Sequence, residues 1–509
     1  MKTAHLTIDP AFTVAEVDRR LFGSFVEHMG RCVYGGIYEP DHPSADADGL
    51  RQDVLELVRE MGVSLVRYPG GNFVSGYNWE DGVGPPEDRP TRLDLAWRSI
   101  ETNRFGLNEF ASWARRADLE PMLAVNLGTR AVDAARSLVE YCNHPAGTYW
   151  SDLRISHGAK EPHDIKRWCL GNEMDGTWQI GHKTAGEYGR LAAETAKAMR
   201  LTDPTIELVA CGSSSSTMPT FGAWEAEVLD HTYDYVDYIS LHAYYERVED
   251  DLDSFLASAV DMDRSIEAVA ATCDHVDAKK RSRKKLRLSF DEWNVWYMTD
   301  YHNQEPYDWQ PAPRLIEDTY NVSDAVVVGS LLISLLKHAD RVGIACQAQL
   351  VNVIGPIRAE PGSPAWRQTI FHPFAATARH ARGTVLRTEP LSPMYDTAKY
   401  GDVPLVDAVA TRDGESGEVA LFAVNRDSTQ AVELRADLRS LPGLRVSEFS
   451  TLTGDAATTN TQGDPARVQP VASADVSLHD GVLTAKLPPL SWNVLRLGGG
   501  PTTATRSTA

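Results

Sequence analysis

Each of two short segments, Gly171-Asn172-Glu173-Met174-Asp175-Gly176 and Phe290-Asp291-Glu292-Trp293-Asn294, puts a glutamate just past a short apolar run that reads as a β-strand. The stretch between them holds about three further strand–helix units. Two carboxyls at the ends of parallel strands can flank one bond from opposite sides, which is the minimum equipment for breaking a glycosidic bond. An isolated glutamate after a strand is more often a helix-cap neighbour or a surface charge. The weight here comes from the pair, its strand placement and its company.

The elements that must position this pair are legible as an alternation. Short apolar runs read as strands at Leu21–Val26, Val63–Tyr68, Met122–Asn126, Ile165–Leu170, Ile206–Cys211, Tyr235–Leu241, Leu286–Phe290 and Val342–Gln347. Helical spacing recurs between them, at Leu50–Met61, Leu107–Ala117, Ala131–Tyr141, Lys183–Arg200, Leu252–Thr272 and Val322–Lys337. Eight strands with helices between them predict an α/β protein built on a (β/α)8 TIM barrel, expected over residues 18–385. An open doubly wound sheet is the runner-up, but the Gly-rich phosphate turn that marks it is not found. From Thr388 on, strands and turns replace helices, predicting a jelly-roll-like antiparallel β-sandwich over residues 386–497. Residues 1–17 are expected to add strands to it, and the Gly/Thr-rich tail 498–509 is expected to be disordered.

On this barrel Glu173 ends the fourth candidate strand and Glu292 the seventh. Other polar residues fall at the same end: Glu27, Arg67, Asn72, Asn126, His242, Tyr244, Gln349 and Asn352. Any one of them is more often a loop hydrogen-bonder than a catalyst. A ring of them is hard to explain by packing, because buried polar groups need partners. The segments Pro69–Asn103 and Trp293–Tyr320, rich in aromatics and Pro, also follow C-terminal strand ends, where barrel enzymes build their sites.

Composition narrows the classes. With 509 residues, 42% hydrophobic and 24% charged, the chain is an ordinary globular one with a large core. A net charge of −21 argues against nucleic acid and anionic polymers as partners. The basic run Lys279–Lys285 is read as a solvated loop beside a helix. No apolar run is long enough to span a membrane, and Met1–Pro10 lacks the apolar stretch of a secretory signal. Six scattered cysteines, mostly in apolar runs, read as buried thiols of a reducing, cytoplasmic compartment. No HExxH and no Cys/His pattern for zinc occur, so no metal or cofactor is expected. Ser213–Ser216 lack the nucleophile-elbow spacing, and the sequon at Asn321 carries no meaning without a secretory signal.

The motifs together are specific. Phe22-Gly23-Ser24-Phe25-Val26-Glu27-His28, Val66-Arg67-Tyr68-Pro69-Gly70-Gly71-Asn72-Phe73, Trp168 through Gly176, Ser240-Leu241-His242-Ala243-Tyr244-Tyr245, Phe290 through Asn294 and Ala348-Gln349-Leu350-Val351-Asn352 resemble, in order and spacing, glycoside hydrolase family 51 α-L-arabinofuranosidases. The match runs from about residue 5 to Leu497. The resemblance implies Glu173 as general acid/base and Glu292 as nucleophile. It implies Glu27, Arg67, Asn72, Asn172, Tyr244 and Gln349 as ligands of the furanose, His242 beside the acid/base, and Trp97 and Trp296 at the pocket mouth. The implied activity is retaining and exo-acting, on terminal α-L-arabinofuranosyl groups of arabinan- or arabinoxylan-derived oligosaccharides. The implied assembly is a homo-oligomer, a hexamer. A related β-xylosidase or endoglucanase is the alternative enzyme. A carbohydrate-binding protein with a dead barrel would have lost a glutamate, and both are present. In a retaining mechanism the nucleophile must be ionised while the acid is protonated, so their environments must differ. Tyr244 and Arg67 are the groups expected to hold Glu292 charged.

Overall fold

The computed structural model describes residues 1–304 and 307–499. Eight parallel strands close a barrel in sequence order: β1 (Gly23–Phe25), β2 (Leu65–Tyr68), β3 (Glu120–Ala124), β4 (Arg167–Leu170), β5 (Glu207–Ala210), β6 (Tyr238–Tyr245), β7 (Arg287–Val295) and β8 (Val342–Gln347). These runs are apolar on both faces because the barrel interior covers one side and the helices the other. The helix Leu107–Ala117 shows the complementary pattern. It buries Leu107, Phe110, Ala111, Trp113 and Ala114 on one stripe and starts where Glu109 Oε2 accepts the Gly106 N–H at 2.9 Å.

Two strands outrun their expected ends. β6 continues to Tyr245 and β7 to Val295, so His242, Tyr244 and Glu292 lie within strands and not past them. A bulge accompanies the extension of β7. Ser240 and His242 on β6 are two residues apart, whereas their partners Ser289 and Glu292 are three apart. The same surplus appears against β8, where Phe290 to Trp293 faces Ala345 to Gln347. An extra residue in one strand breaks the alternation of side chains and re-aims those around it.

The helices also differ in detail. The segment expected as one helix from Leu252 is two, Leu252–Leu256 and Ala259–Lys280. Ser258 Oγ donates to Phe255 O at 2.7 Å at the break, a local bond that competes with helix continuation. Within the basic run, Lys279 pairs with Asp230 and Lys284 donates to backbone carbonyls at Tyr233 and Val236. Asn321 caps the helix Val322–Lys337, its Oδ1 accepting the Asp324 N–H at 3.1 Å. That helix is buried from Val322 to Leu336. It packs on β7 from one side and on Val406–Arg412, Val419–Asn425 and Ser491–Gly499 from the other.

Those last strands belong to a seven-stranded sheet that also takes in Thr13–Glu16 and Thr384–Leu386. A four-stranded sheet, Lys2–Thr7, Val432–Asp437, Val482–Leu487 and Val476–His479 in chain-neighbour order, covers it. Between the sheets lies a second core that includes Leu6, Leu421, Leu434, Leu483 and Leu495. Of the tail expected to be disordered, Gly498 and Gly499 pair with Arg445 and Leu444 and are strand; residues 500–509 lie outside the described residues.

Candidate active site

Both glutamates sit at the C-terminal end of the barrel, and one carboxyl oxygen of Glu173 lies within 4.8 Å of one of Glu292. Glu292 is held from two strands. Arg67, on β2, donates from Nη1 to Oε1 at 2.6 Å, and Tyr244, on β6, donates from its hydroxyl to Oε2 at 2.7 Å. The second Arg67 nitrogen, Nη2, donates to Asn172 Oδ1 at 2.7 Å, so one guanidinium ties β2, the turn after β4 and β7 together. Asn172 Nδ2 reaches Asn72 Oδ1 at 3.3 Å.

Glu173 is held differently. It follows Gly171 on a turn and takes a left-handed backbone, φ +45°, which costs a non-glycine residue about 1–2 kcal/mol. Its Oε1 meets His242 Nδ1 at 2.9 Å and its Oε2 accepts the indole N–H of Trp178 at 2.8 Å. His242 Nε2 lies 3.0 Å from Asp291 Oδ1, and its Nδ1 is 3.7 Å from Glu292 Oε2. Burial opposes a charge on His242, but Glu292, Asp291 and Glu173 outweigh it and push the imidazolium up to about 10. Asp291, also buried, is held below the usual carboxylate range by Arg67 and His242. Burial and the neighbouring carboxylates push the Tyr244 phenol well above its ordinary value, so it stays a donor.

The three donor atoms of Glu173, His242 and Glu292 are close enough to hold a metal ion. A metal needs a neutral imidazole with a free lone pair, and here both ring nitrogens of a charged ring face carboxylates.

A third carboxyl, Glu27, closes the pocket after β1. Its Oε1 accepts the Phe73 N–H at 3.0 Å and the Trp97 indole N–H at 2.9 Å; Oε2 accepts from Gln349 Nε2 at 3.0 Å. Burial and the charge of Glu292 push Glu27 up to about 8 despite these donors. Gly71 is required beside it: a Cβ there would stand 2.5 Å from Glu27 Oε2. The loop supplying Phe73 and Trp97 is pinned by His28, whose ring lies 2.8 Å from Glu101 Oε2 and 2.7 Å from the Tyr68 hydroxyl and stacks on Phe73.

Of the residues singled out from sequence, Arg67, Asn72, Asn172, Glu173, His242, Tyr244 and Glu292 therefore form one connected network, and Glu27, Trp97 and Gln349 form a second cluster beside it, coupled to it through the charges of Glu27 and Glu292. Trp296 reaches the network through its edge-on contact with Tyr244, centroids 5.0 Å apart, and the cluster through Tyr301, which also lies against Trp97. Asn126 and Asn352 are part of neither. Asn126 Oδ1 accepts backbone N–H groups of Gly128, Thr129 and Arg130, and Asn352 ties Arg31 O to the Ala359 N–H. Sequence reasoning missed Asp291, Trp178 and Gln179. Asp291 adjoins Glu292, and strict strand alternation would turn it away; only the β7 bulge lets His242 meet both. Gln179 bonds Asn72 and accepts from Ser75 Oγ at 2.8 Å, beneath the loop.

Sequence patterns of known families match here. The α-L-arabinofuranosidase 1 domain matches residues 57–259 and the α-L-arabinofuranosidase C-terminal domain residues 291–491. The chain is 62% identical over 500 residues to an intracellular exo-α-(1→5)-L-arabinofuranosidase of Streptomyces lividans, covering 97% of this chain and 75% of that one. It is 52% identical over 510 residues to an exo-α-(1→6)-L-arabinofuranosidase of Bifidobacterium longum, covering 98% of each. Among solved structures, a family 51 α-L-arabinofuranosidase of Bifidobacterium longum superposes with a TM-score of 0.94 at 49% identity, covering 97% of this chain and 99% of that one.

Proposed function

This chain belongs to the α-L-arabinofuranosidases of glycoside hydrolase family 51, and we propose that it is a retaining, exo-acting member cleaving terminal non-reducing α-L-arabinofuranosyl groups from arabinan- and arabinoxylan-derived oligosaccharides. The observation that carries the retaining reading is the approach of Glu173 and Glu292, with oxygens within 4.8 Å. Retaining enzymes hold their carboxyls ~5–5.5 Å apart, whereas inverting ones leave ~6.5–9.5 Å for a water.

On this reading Glu292 attacks the anomeric carbon while Glu173 gives its proton to the leaving oxygen. A covalent arabinofuranosyl-enzyme results. Water then enters on the side the leaving group vacated, Glu173 takes its proton, and the bond to Glu292 breaks. Arg67 and Tyr244 donate to both Glu292 oxygens, an arrangement that suits a carboxylate. His242 spreads positive charge between the two carboxyls. Glu27, Asn72, Asn172 and Gln349 present hydrogen-bonding groups to the furanose hydroxyls, with Asn172 placed for the 2-OH. Trp97 fixes Glu27 from the mouth, and Trp296 backs Tyr244.

The relatives named for (1→5) and (1→6) linkages suggest that linkage preference is set outside this pocket, by the loops. Action inside the cell on imported fragments is supported by the relatives' names and by six buried free cysteines. No helix among the described residues is long and apolar enough to cross a membrane. The homo-hexamer implied by the resemblance belongs to the same proposal, and light scattering at six chain masses tests it.

The deciding experiment follows hydrolysis of 4-nitrophenyl α-L-arabinofuranoside by proton NMR. The first free arabinofuranose is expected as the α-anomer, and a β-anomer appearing first overturns the retaining mechanism. Faster initial turnover of the β-D-xylopyranoside would overturn the substrate assignment.

A further inference from the structure

The two oxygens of Glu173 face different surroundings. Oε1 turns inward to His242, which is buried, and Oε2 turns to Trp178, which is 53% exposed. A leaving group approaches from the open side. The oxygen it must meet is therefore the one already occupied by an indole N–H.

The loop carrying Trp178 is fixed through its backbone, independently of the indole. Its backbone is pinned by Gly176 N–H to Glu173 O at 2.9 Å, Gln179 N–H to Gly176 O at 3.0 Å and Lys183 N–H to Met174 O at 2.9 Å. The indole lies flat on Gly176, where a Cβ would stand 2.5 Å from Trp178 Cε2 and 2.6 Å from Cζ2. Its polar contact is the bond to Glu173.

We propose that Trp178 is a positioning residue that holds the outward oxygen of Glu173 as an acceptor in the free enzyme, and that the aglycone displaces the indole N–H and puts its leaving oxygen in that place. The proposal rests on Glu173 being the acid/base. A donor directed at a carboxyl favours its ionised form, and an acceptor in the same place favours the protonated form. Aglycone binding thus draws a proton from solvent onto Glu173, which passes to the leaving oxygen as the glycosidic bond breaks. When the aglycone departs, the indole N–H returns and favours the carboxylate, the form needed to take a proton from the attacking water. The charged and titratable groups around Glu173 are His242, Glu292, with a carboxyl oxygen within 4.8 Å, Tyr244, Asp291 through His242, and Asp175 on the same turn. Trp178 is the donor among these neighbours that stands on the solvent side.

The test uses the full chain and an alkyl α-L-arabinofuranoside, whose poor leaving group makes acid catalysis limiting. The profile of kcat/KM reports the free enzyme and that of kcat the bound complex. Trp178→Phe removes the N–H and keeps the ring; Gly176→Ala evicts the indole by contact. Both are expected to move the alkaline limb of kcat/KM up by about 0.5–1 in pH, the scale of one modest hydrogen bond, and to leave the limb of kcat in place. Limbs that stay put, or that move together, overturn the proposal, as does a pH-independent rise in KM alone, which marks a sugar platform. Glu173→Ala assayed with azide on 4-nitrophenyl α-L-arabinofuranoside, whose good leaving group needs no acid, separates the two levels. Azide rescue with unmoved limbs removes only the role of Trp178. Failure of rescue removes the acid/base assignment and the proposal with it.

Discussion

In the sandwich strand Val432–Asp437, Val432, Leu434 and Ala436 turn inward and Glu433, Arg435 and Asp437 turn out. At the barrel mouth, β7 breaks that rule: Asp291 and Glu292 are consecutive and both meet His242. The sandwich core is assembled from apolar side chains whose only requirement is fit. The mouth buries Glu27, Arg67, Asn172, His242, Asp291 and Glu292, each of which would be costly alone. They are tolerated because Arg67, Asn172, His242, Asp291 and Glu292 are one another's partners and Glu27 is held by the Phe73 N–H, Trp97 and Gln349. The difference teaches where substitutions will show: in the mouth they change reactivity and titration, in the sandwich they change stability.

The largest expected effect is at Glu292. Glu292→Ala should lose roughly 10^4- to 10^6-fold in kcat on every arabinofuranoside, the scale seen when a nucleophile is removed from an enzyme site. Good leaving groups should not restore it, because they help departure and not attack. An active Glu292→Ala enzyme, measured with 4-nitrophenyl arabinofuranoside, would break the comparison at its root.

Asp291→Asn asks whether a buried group that does not face the sugar matters to the same chemistry. The amide can still accept from His242, but the charge that Arg67 and His242 share is gone. We expect kcat to fall about 10- to 100-fold, equivalent to about 1.4–2.7 kcal/mol of transition-state stabilisation. The sign for His242 follows from its present state. Carboxylates push it up to about 10, so losing one lets the ring lose its proton at lower pH. Nitrogen-15 NMR of the imidazole checks this; an unmoved titration would confine Asp291 to a packing role.

The barrel was readable from sequence because its strands are short, apolar and separated by helical stripes. The ring of polar residues was readable because each falls at a strand end. Four things were not. The β7 bulge depends on register against β6 and β8, which no local spacing encodes. Trp178 is one aromatic among many in loops, and only the fold shows which carboxyl its N–H meets. Asn126 and Asn352 sat in the right places for catalysis, but the backbone amides of their own loops claim them. Likewise the break at Ser258 follows from a side-chain bond that helical periodicity does not register.

The mouth should also show itself in stability against pH. Glu27 is pushed up to about 8 and His242 to about 10, both above their ordinary values of 4.5 and 6.5. A raised group binds its proton more tightly in the folded chain, so its contribution is full below the ordinary value and is lost as pH rises through the raised one. The folded chain should therefore lose stability on the order of a few kcal/mol between pH 5 and 10 on their account. Glu27→Gln should remove the slope between about pH 4.5 and 6.5, lessen it between 6.5 and 8, and leave the His242 part up to about pH 10. Calorimetry at fixed ionic strength checks this, and a slope unchanged in Glu27→Gln would show that another group carries it.

The smallest expected effect on activity is in the sandwich. Leu434 is fully buried and lies in register with Ala4 on one neighbour and Ala485 on the other. Those small side chains cannot refill the space, so Leu434→Ala should cost about 2–4 kcal/mol of stability. The Glu27, His242 and Glu292 network contains no residue of that core, and the apolar helix Val322–Lys337 stands between the large sheet and β7. At 25 °C, kcat/KM should stay within about twofold of the parent while the thermal midpoint falls by several degrees, since a 1 kcal/mol loss is about 2–4 °C even in a medium-sized domain. A fall in kcat/KM without loss of fold would mean that the sandwich holds the end of β7 in place. The separation between a region built for fit and a region built for chemistry would then be one of degree.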